Sequence, residues 1–364
     1  MRGVWTVLFV TFEIDFDSIW FPERVSGKLD CRDYATYGRS VMWDDVKHVI
    51  DTSQSFAITS HVNPDGDSIG SALALCEFLK AQGKEAVVAM SDAVPMAYQW
   101  LDPDREMMAP VDEADLNQIT AVDAVFIVDV NSWERLGRLG EPIQHGQAVK
   151  AVIDHHPYRE LITPHSVIQT EASSTSELIY NLIDTLGGSM TKRAAAALYT
   201  GILTDTGSFR FASTSPHAHD ITARLLDHGV NPAQVYDLVY NQNSEARTRL
   251  MGQVISNIQF AGNGQVAWLT VAPSMIENTG ALPEDTSGFV DTTMTIAGVE
   301  IGIIFVGTDE GTVRISLRSR GSKDVNQVAG NFGGGGHRNA SGVVFKGSIE
   351  EAVEAVTKVA VSAL

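Results

Sequence analysis

FAITSHVNPDGDSIGSALALCEFLKAQ, residues 56–82, reads as a strand, a loop and a helix in that order. Phe56–Ser60 is a short apolar run, the pattern of a strand buried on both faces. His61–Asp67 is polar and contains Pro64 and Gly66, so it is the expected loop. Ser68–Gln82 then places Ala72, Leu75, Cys76 and Leu79 on one helical face. Downstream the alternation continues. Glu85–Met90 is a predicted strand, Ala124–Val128 a strand ending at Asp129, and Ala148–Ile153 a strand ending at Asp154. Thr191–Thr204 has a helical pattern that runs into Asp205. Strands alternating with helices predict an α/β domain with a mostly parallel sheet. In such sheets ligands sit beyond the carboxyl ends of the strands.

From about residue 227 to 250 the sequence is polar with a helical pattern, as expected of a linker. Gln265–Val271, Glu300–Val306 and Thr312–Leu317 then alternate apolar and polar residues. Ser348-x-x-Glu351 is a capping box that opens a helix to Leu364. A smaller α+β domain is therefore expected over 251–364, after a first domain over 42–226. Met42 opens a helical pattern with Val46, Val49 and Ile50 on one face. Residues 1–41 show no sustained period and read as an extension, poorly ordered or added by an upstream start.

The chain has 364 residues, more than one core usually organises, with 44% hydrophobic and 20% charged residues as in globular proteins. Its apolar run Val4–Val10 is too short to span a bilayer, and no small-residue cleavage site follows it. Cys31 and Cys76 are too few for a disulfide framework or a Cys-rich metal site, which fits a cytoplasmic protein. The net charge of −19 argues against binding long duplex nucleic acid, because such binding rests on Lys and Arg neutralising many phosphates. A short phosphorylated ligand differs, since metal ions and a few arginines can hold it locally.

Four polar clusters follow predicted elements. The first is His61-x-x-x-Asp65-x-Asp67, where Gly66 between the acids is expected to take positive φ in a tight loop. The second is Asp129, the third Asp154-His155-His156, and the fourth Asp205 in TGILTDTGSFRF. Taken singly, each also reads as a solvated turn or a helix cap. Together they supply carboxylate and imidazole donors without thiolate, a set that suits hard or borderline divalent ions, Mn²⁺ above all. Two such ions roughly 3.5–4 Å apart form the clamp used in phosphoester hydrolysis.

These motifs, in this order, resemble those of the DHH phosphoesterase family, named for the triplet at 154–156. The resemblance implies two divalent metal ions. His61, Asp65 and Asp129 would hold one; Asp67, Asp129, His155 and Asp205 would hold the other, with Asp129 bridging. It also implies that His156 faces the substrate phosphate and that Asp154 orients a neighbouring histidine. NFGGGGHRNASG, residues 331–342, looks like the glycine-rich signature of the DHH-associated domain. There the backbone of Gly333, Gly334, Gly335 and Gly336 is expected to approach a phosphate, with His337 and Arg338 beside it. Arg314, Arg318 and Arg320 share one strand face for as long as the strand lasts. Alone these are a solvated strand face and a glycine loop; after four metal motifs they read as a phosphate grip.

The resemblance covers about residues 42–364. Within the family the compact two-domain arrangement is similar to the NrnA-type members, which degrade short oligoribonucleotides and dephosphorylate adenosine 3′,5′-bisphosphate. It implies an active site in the cleft between the domains, a short RNA or nucleotide as partner, and no membrane, with a homodimer left open. One alternative keeps the chemistry and changes the substrate to cyclic or linear dinucleotides, c-di-AMP or pApA. Another, of a different class, is a non-catalytic nucleotide-binding sensor, which would be expected to lack a ligand; none of the eight motif positions is missing.

Overall fold

The computed structural model describes residues 43–105, 108–110, 116–308 and 311–364. The expected extension over 1–41 therefore lies outside the described residues. The chain divides into two units, Met1–Val235 and Tyr236–Leu364, so the division falls inside the segment expected to connect them. That segment is helical, with helices at Pro232–Tyr240 and Glu245–Ser256.

Among the described residues the first unit holds six parallel strands: β1 Ser55–Thr59, β2 Glu85–Met90, β3 Met108–Pro110, β4 Ala124–Val128, β5 Val149–Asp154 and β6 Ser166–Ile168. Their order is β3-β2-β1-β4-β5-β6. The central strand β4 is buried along its whole length, because both faces of the sheet are covered. Val125 and Ile127 face a core with Leu136, Leu139 and Ile143. Phe126 points the other way and stacks on Phe56 at 6.0 Å.

The helix Gly66–Ala81 begins two residues before the expected start, and Asp65 is its N-cap. Gly66 is thus helical rather than a positive-φ loop residue; glycine is needed because a Cβ there would lie 2.4 Å from Thr204 Oγ1. The helix is buried nearly all round rather than on one face. Helices Thr175–Thr185 and Lys192–Asp205 pack on it, and their polar N-caps, Ser174 and Thr191, bond to Glu177 N–H and Ala194 N–H. Asp205 is the last residue of its helix.

The second unit holds β7 Gln259–Ala261, β8 Val266–Val271, β9 Ile301–Gly307, β10 Thr312–Ser319, β11 Gly335–His337 and β12 Ala340–Lys346. They form a mixed sheet in the order β11-β12-β10-β9-β8-β7, in which β8 and β9 are parallel and the other pairings among the described residues are antiparallel. β9 is buried throughout because helices cover both its faces. Ile303 and Phe305 meet Ala352, Val356 and Ala360 of the capped helix Ile349–Ser362. Ile304 and Val306 meet Leu250, Val254 and Phe289. Among the described residues no helix is long and apolar enough to cross a membrane.

Candidate metal centre

β1, β4 and β5 are neighbours, and the strand order reverses at β1, with β2 on one side and β4 on the other. Segments leaving the carboxyl ends of these three strands therefore emerge side by side at the switch point of the sheet. Ser60 Oγ donates to Val128 O at 2.7 Å and ties the exit of β1 to that of β4. His61 follows Ser60, Asp129 follows Val128, and Asp154 is the last residue of β5. Asp205 joins them from the end of its helix.

The six expected ligands meet there. His61 Nε2 lies 3.3 Å from Asp129 Oδ2 and 3.9 Å from Asp65 Oδ2. His155 Nε2 lies 3.3 Å from Asp205 Oδ2 and 3.7 Å from Asp129 Oδ1. Donor atoms within 4.8 Å of one another form the groups His61–Asp65–Asp129, Asp67–His155–Asp205 and Asp129–His155–His156. Asp129 thus turns one oxygen toward each of the first two histidines. Its backbone is left-handed, at φ 61°.

In both histidines expected as ligands, one ring nitrogen is bonded to a backbone carbonyl. His61 Nδ1 lies 2.8 Å from Val62 O, and His155 Nδ1 lies 3.2 Å from Ala172 O. A carbonyl oxygen only accepts, so each Nδ1 carries a hydrogen, and in the neutral ring Nε2 then presents its lone pair. Those lone pairs face carboxylate oxygens. His155 Nε2 is buried with no hydrogen-bond partner. Lone pair against carboxylate repels unless a cation lies between them, so this donor set fits divalent metal ions.

The electrostatics agree. Burial, followed by the charges of Asp67, Asp65, Asp205 and Asp154, pushes the Asp129 carboxyl well above the usual range. Burial and then Asp67 and Asp65 push Asp205 up to about 8. Asp67 is raised by burial despite its hydrogen bonds. His61 is lowered, first by burial and further by the positive charges of Arg135 and His156. Burial would also raise Asp154, but His156 and the Asn131 amide more than offset it and hold the carboxyl below its ordinary range. Asp154 Oδ1 accepts from His156 Nδ1 at 2.9 Å, so it orients that ring.

Three residues absent from the sequence reading help to build the centre. Asp67 accepts from Thr175 N–H at 2.6 Å and Ser176 N–H at 2.8 Å, the first turn of a helix, where peptide dipoles favour an anion. Thr175 Oγ1 donates to Asp129 Oδ1 at 3.0 Å. Asn131 donates to Asp154 Oδ2 and accepts from Arg159 N–H at 2.8 Å. The signal for the first two was the run Ser173-Ser174-Thr175-Ser176-Glu177 before an apolar helical period. Asn131, two residues beyond Asp129, carried no such mark.

The expected phosphate grip in the second unit is more engaged with its own fold than the sequence suggested. Arg314 and Arg318 do share a face of β10, opposite Val313, Ile315 and Leu317. Arg320 lies past the end of that strand, and its guanidinium donates to Met294 O. Arg318 Nε pairs with Asp291 Oδ1 at 3.1 Å, and Arg314 Nη2 donates to Pro283 O at 3.2 Å. Arg338 Nη2 donates to Ser322 O at 2.7 Å.

The glycine run is not a loop alone. Gly333 and Gly334 donate their N–H groups to Gly330 O and Ala329 O, the carbonyls at the end of a helix. Gly335 and Gly336 enter β11 and pair with Gly342 and Ser341 of β12. At least two of the four N–H groups are thus used within the domain. His337 closes β11; its side chain lies outside the described residues.

The pattern of the DHH family, N-terminal domain, matches residues 55–202, and that of the DHHA1 domain matches 263–362. The bifunctional oligoribonuclease and PAP phosphatase NrnA of Thermus thermophilus is 35% identical over 300 residues, covering 82% of this chain and 87% of that protein. The protein of the same name from Bacillus subtilis is 28% identical, over 78% of this chain and 86% of its own length. The crystal structure of an exopolyphosphatase-related protein from Bacteroides fragilis superposes with a TM-score of 0.85 at 33% identity, covering 88% of this chain and 95% of that one.

Proposed function

Because the chain belongs to the DHH family, we propose that it is a metal-dependent phosphoesterase acting on short oligoribonucleotides and on adenosine 3′,5′-bisphosphate. The observation that carries the metal part is the pair of imidazole Nε2 atoms, each with its Nδ1 bonded to a carbonyl, turned toward the carboxyls of buried Asp129 and half-buried Asp205. The substrate part follows the two NrnA relatives, whose names give both activities.

Two divalent ions fit the donors, Mn²⁺ best by their chemistry; bound there, they would activate water and neutralise charge on the phosphate. In this reading His61, Asp65 and Asp129 hold one ion. Asp67, Asp129, His155 and Asp205 hold the other, with Asp129 shared. The helix N–H groups at Thr175 and Ser176 fix Asp67 while leaving lone pairs for metal. Asp154 fixes the His156 ring through Nδ1, and the role proposed for Nε2 is a hydrogen bond to a phosphate oxygen. Asn131 in turn steadies Asp154. Arg318, His337 and Arg338, with the exposed Gly335, are the residues proposed to hold a terminal phosphate in the second unit. The substrates and the buried free thiol of Cys76, pushed up to about 12 by burial, suit a reducing cytoplasm.

The test offers purified protein with Mn²⁺ four substrates in parallel: short RNA, adenosine 3′,5′-bisphosphate, pApA and c-di-AMP. Release of phosphate from the bisphosphate and shortening of the RNA are expected. Turnover confined to pApA or c-di-AMP would move the substrate assignment, and turnover of none would remove the enzymatic one.

A further inference from the structure

Immediately after Asp205 the backbone takes an unusual course. Gly207, Ser208 and Phe209 lie at φ 56°, 60° and 64°, three left-handed residues in succession. One left-handed residue is enough to end a helix, and Gly207 supplies it without strain. Ser208 and Phe209 extend the run at a conformational cost, because the Cβ of an L-residue crowds the following carbonyl oxygen there. The turn is held tightly. Ser208 N–H donates to Leu203 O at 2.7 Å and Phe209 N–H to Thr206 Oγ1 at 3.0 Å. Arg210 and Phe211 N–H both donate to Thr206 O at 3.0 Å. The Phe209 ring stacks on His219 at 5.1 Å and meets Tyr199 edge-on.

What the strained turn delivers is the next residue pair. Phe211 is 49% exposed although it is large and apolar. Its ring packs so closely on Gly207 that a Cβ there would lie 2.4 Å from Phe211 Cζ, so Gly207 serves the ring as well as the turn. The Arg210 guanidinium lies over the ring at 5.4 Å from its centroid. An aromatic ring with a cation beside it, backed by a rigid turn and still half open to solvent, is the chemistry of a base-stacking platform. Strain kept in place by several hydrogen bonds, two residues from a metal ligand, is strain placed at a working site.

We propose that Phe211, backed by Gly207 and flanked by Arg210, stacks the nucleobase of the substrate and so selects nucleotides over other phosphate esters. This rests on the reading of the centre as a nucleotide phosphoesterase and names the base-side contact of that same site. Phe211 is a specificity-determining residue in this scheme; it takes no part in bond cleavage.

The experiment compares adenosine 3′,5′-bisphosphate with ribose 3′,5′-bisphosphate, which carries the same phosphates and no base, at saturating Mn²⁺. Phe211→Ala is expected to raise KM for the adenosine compound about tenfold. Its kcat and its kinetics on the base-free compound should stay near those of the unaltered protein, and Phe211→Tyr should restore the low KM. Equal loss on both compounds, or no change on the adenosine compound, would overturn the platform. Calorimetric binding of adenosine monophosphate to the same three proteins gives a readout independent of turnover. Weaker binding only in the Ala variant supports stacking; unchanged binding, or none to the unaltered protein, overturns it. If the unaltered protein binds the nucleotide yet hydrolyses neither bisphosphate, it is the enzymatic reading that fails, and the platform stands on binding.

Discussion

The Asp129 backbone is left-handed, and its buried carboxyl sits among four other carboxyl groups. A non-glycine residue in that region costs of order 1–3 kcal/mol, and the crowded charge costs more while no cation offsets it. Asparagine tolerates the same backbone and removes the charge. Asp129→Asn is therefore expected to lower kcat by at least about a hundredfold and to reduce metal content. The same change should raise the thermal midpoint of metal-free protein near pH 8 by ~2–4 °C, since about 1 kcal/mol of penalty is removed. Metal analysis and thermal melts check both arms; two retained ions, or a lowered metal-free midpoint, would contradict the shared-ligand assignment. Arg318→Ala belongs at this scale too. Loss of a charge-assisted phosphate contact is expected to raise KM for pApA roughly tenfold to a hundredfold, and to affect bis-p-nitrophenyl phosphate much less. Equal losses would instead point to its pairing with Asp291 as a support of the fold. The acids and histidines were legible because each lies at or just beyond the end of a strand, at the start of a helix or at the end of one. Their tautomers were not, because they depend on which carbonyl the fold sets beside each Nδ1.

Among the elements, the helix Thr175–Thr185 links packing to chemistry. Its first turn holds Asp67 and Asp129, and Ser174 caps it through Oγ to Glu177 N–H at 3.1 Å. Ser174 is fully buried, so no water can replace the hydroxyl. Ser174→Ala is expected to destabilise the protein by about 1–2 kcal/mol and to weaken metal affinity in parallel, read by denaturation and metal titration. A change in stability with unaltered metal affinity would show that the helix does not position the ligands. The strands at the centre were readable from their apolar runs, since burial on both faces leaves little else possible for Phe56–Thr59 or Ala124–Val128. β3 and β6 are three-residue edge strands, too short to show a period. β11 and β12 were hidden because glycines at 335, 336 and 342 break the alternation that their pairing would otherwise impose.

For the whole molecule, an acid-rich chain of net charge −19 concentrates several carboxyls at one sheet edge. In the metal-free protein Asp67, Asp129 and Asp205 are raised, Asp205 to about 8, so the folded state keeps protons that the unfolded chain releases above about pH 4. The corresponding stability is fully present below the unfolded pKa and is lost as pH rises toward about 8. Metal-free protein should accordingly melt at lower temperature as pH rises through that window, while Mn²⁺ raises the midpoint most at its alkaline end. Melts with and without chelator at about pH 5 and about pH 8 test this; a metal effect equal at both would contradict it. The central claim, that the six ligands hold two ions for phosphoester hydrolysis, is tested most directly by titrating metal-free protein with Mn²⁺ while following phosphate release from adenosine 3′,5′-bisphosphate. The expected result is no release before addition and a rate that saturates at two ions per chain. Release by the metal-free protein, or saturation with no more than one ion bound, would contradict it.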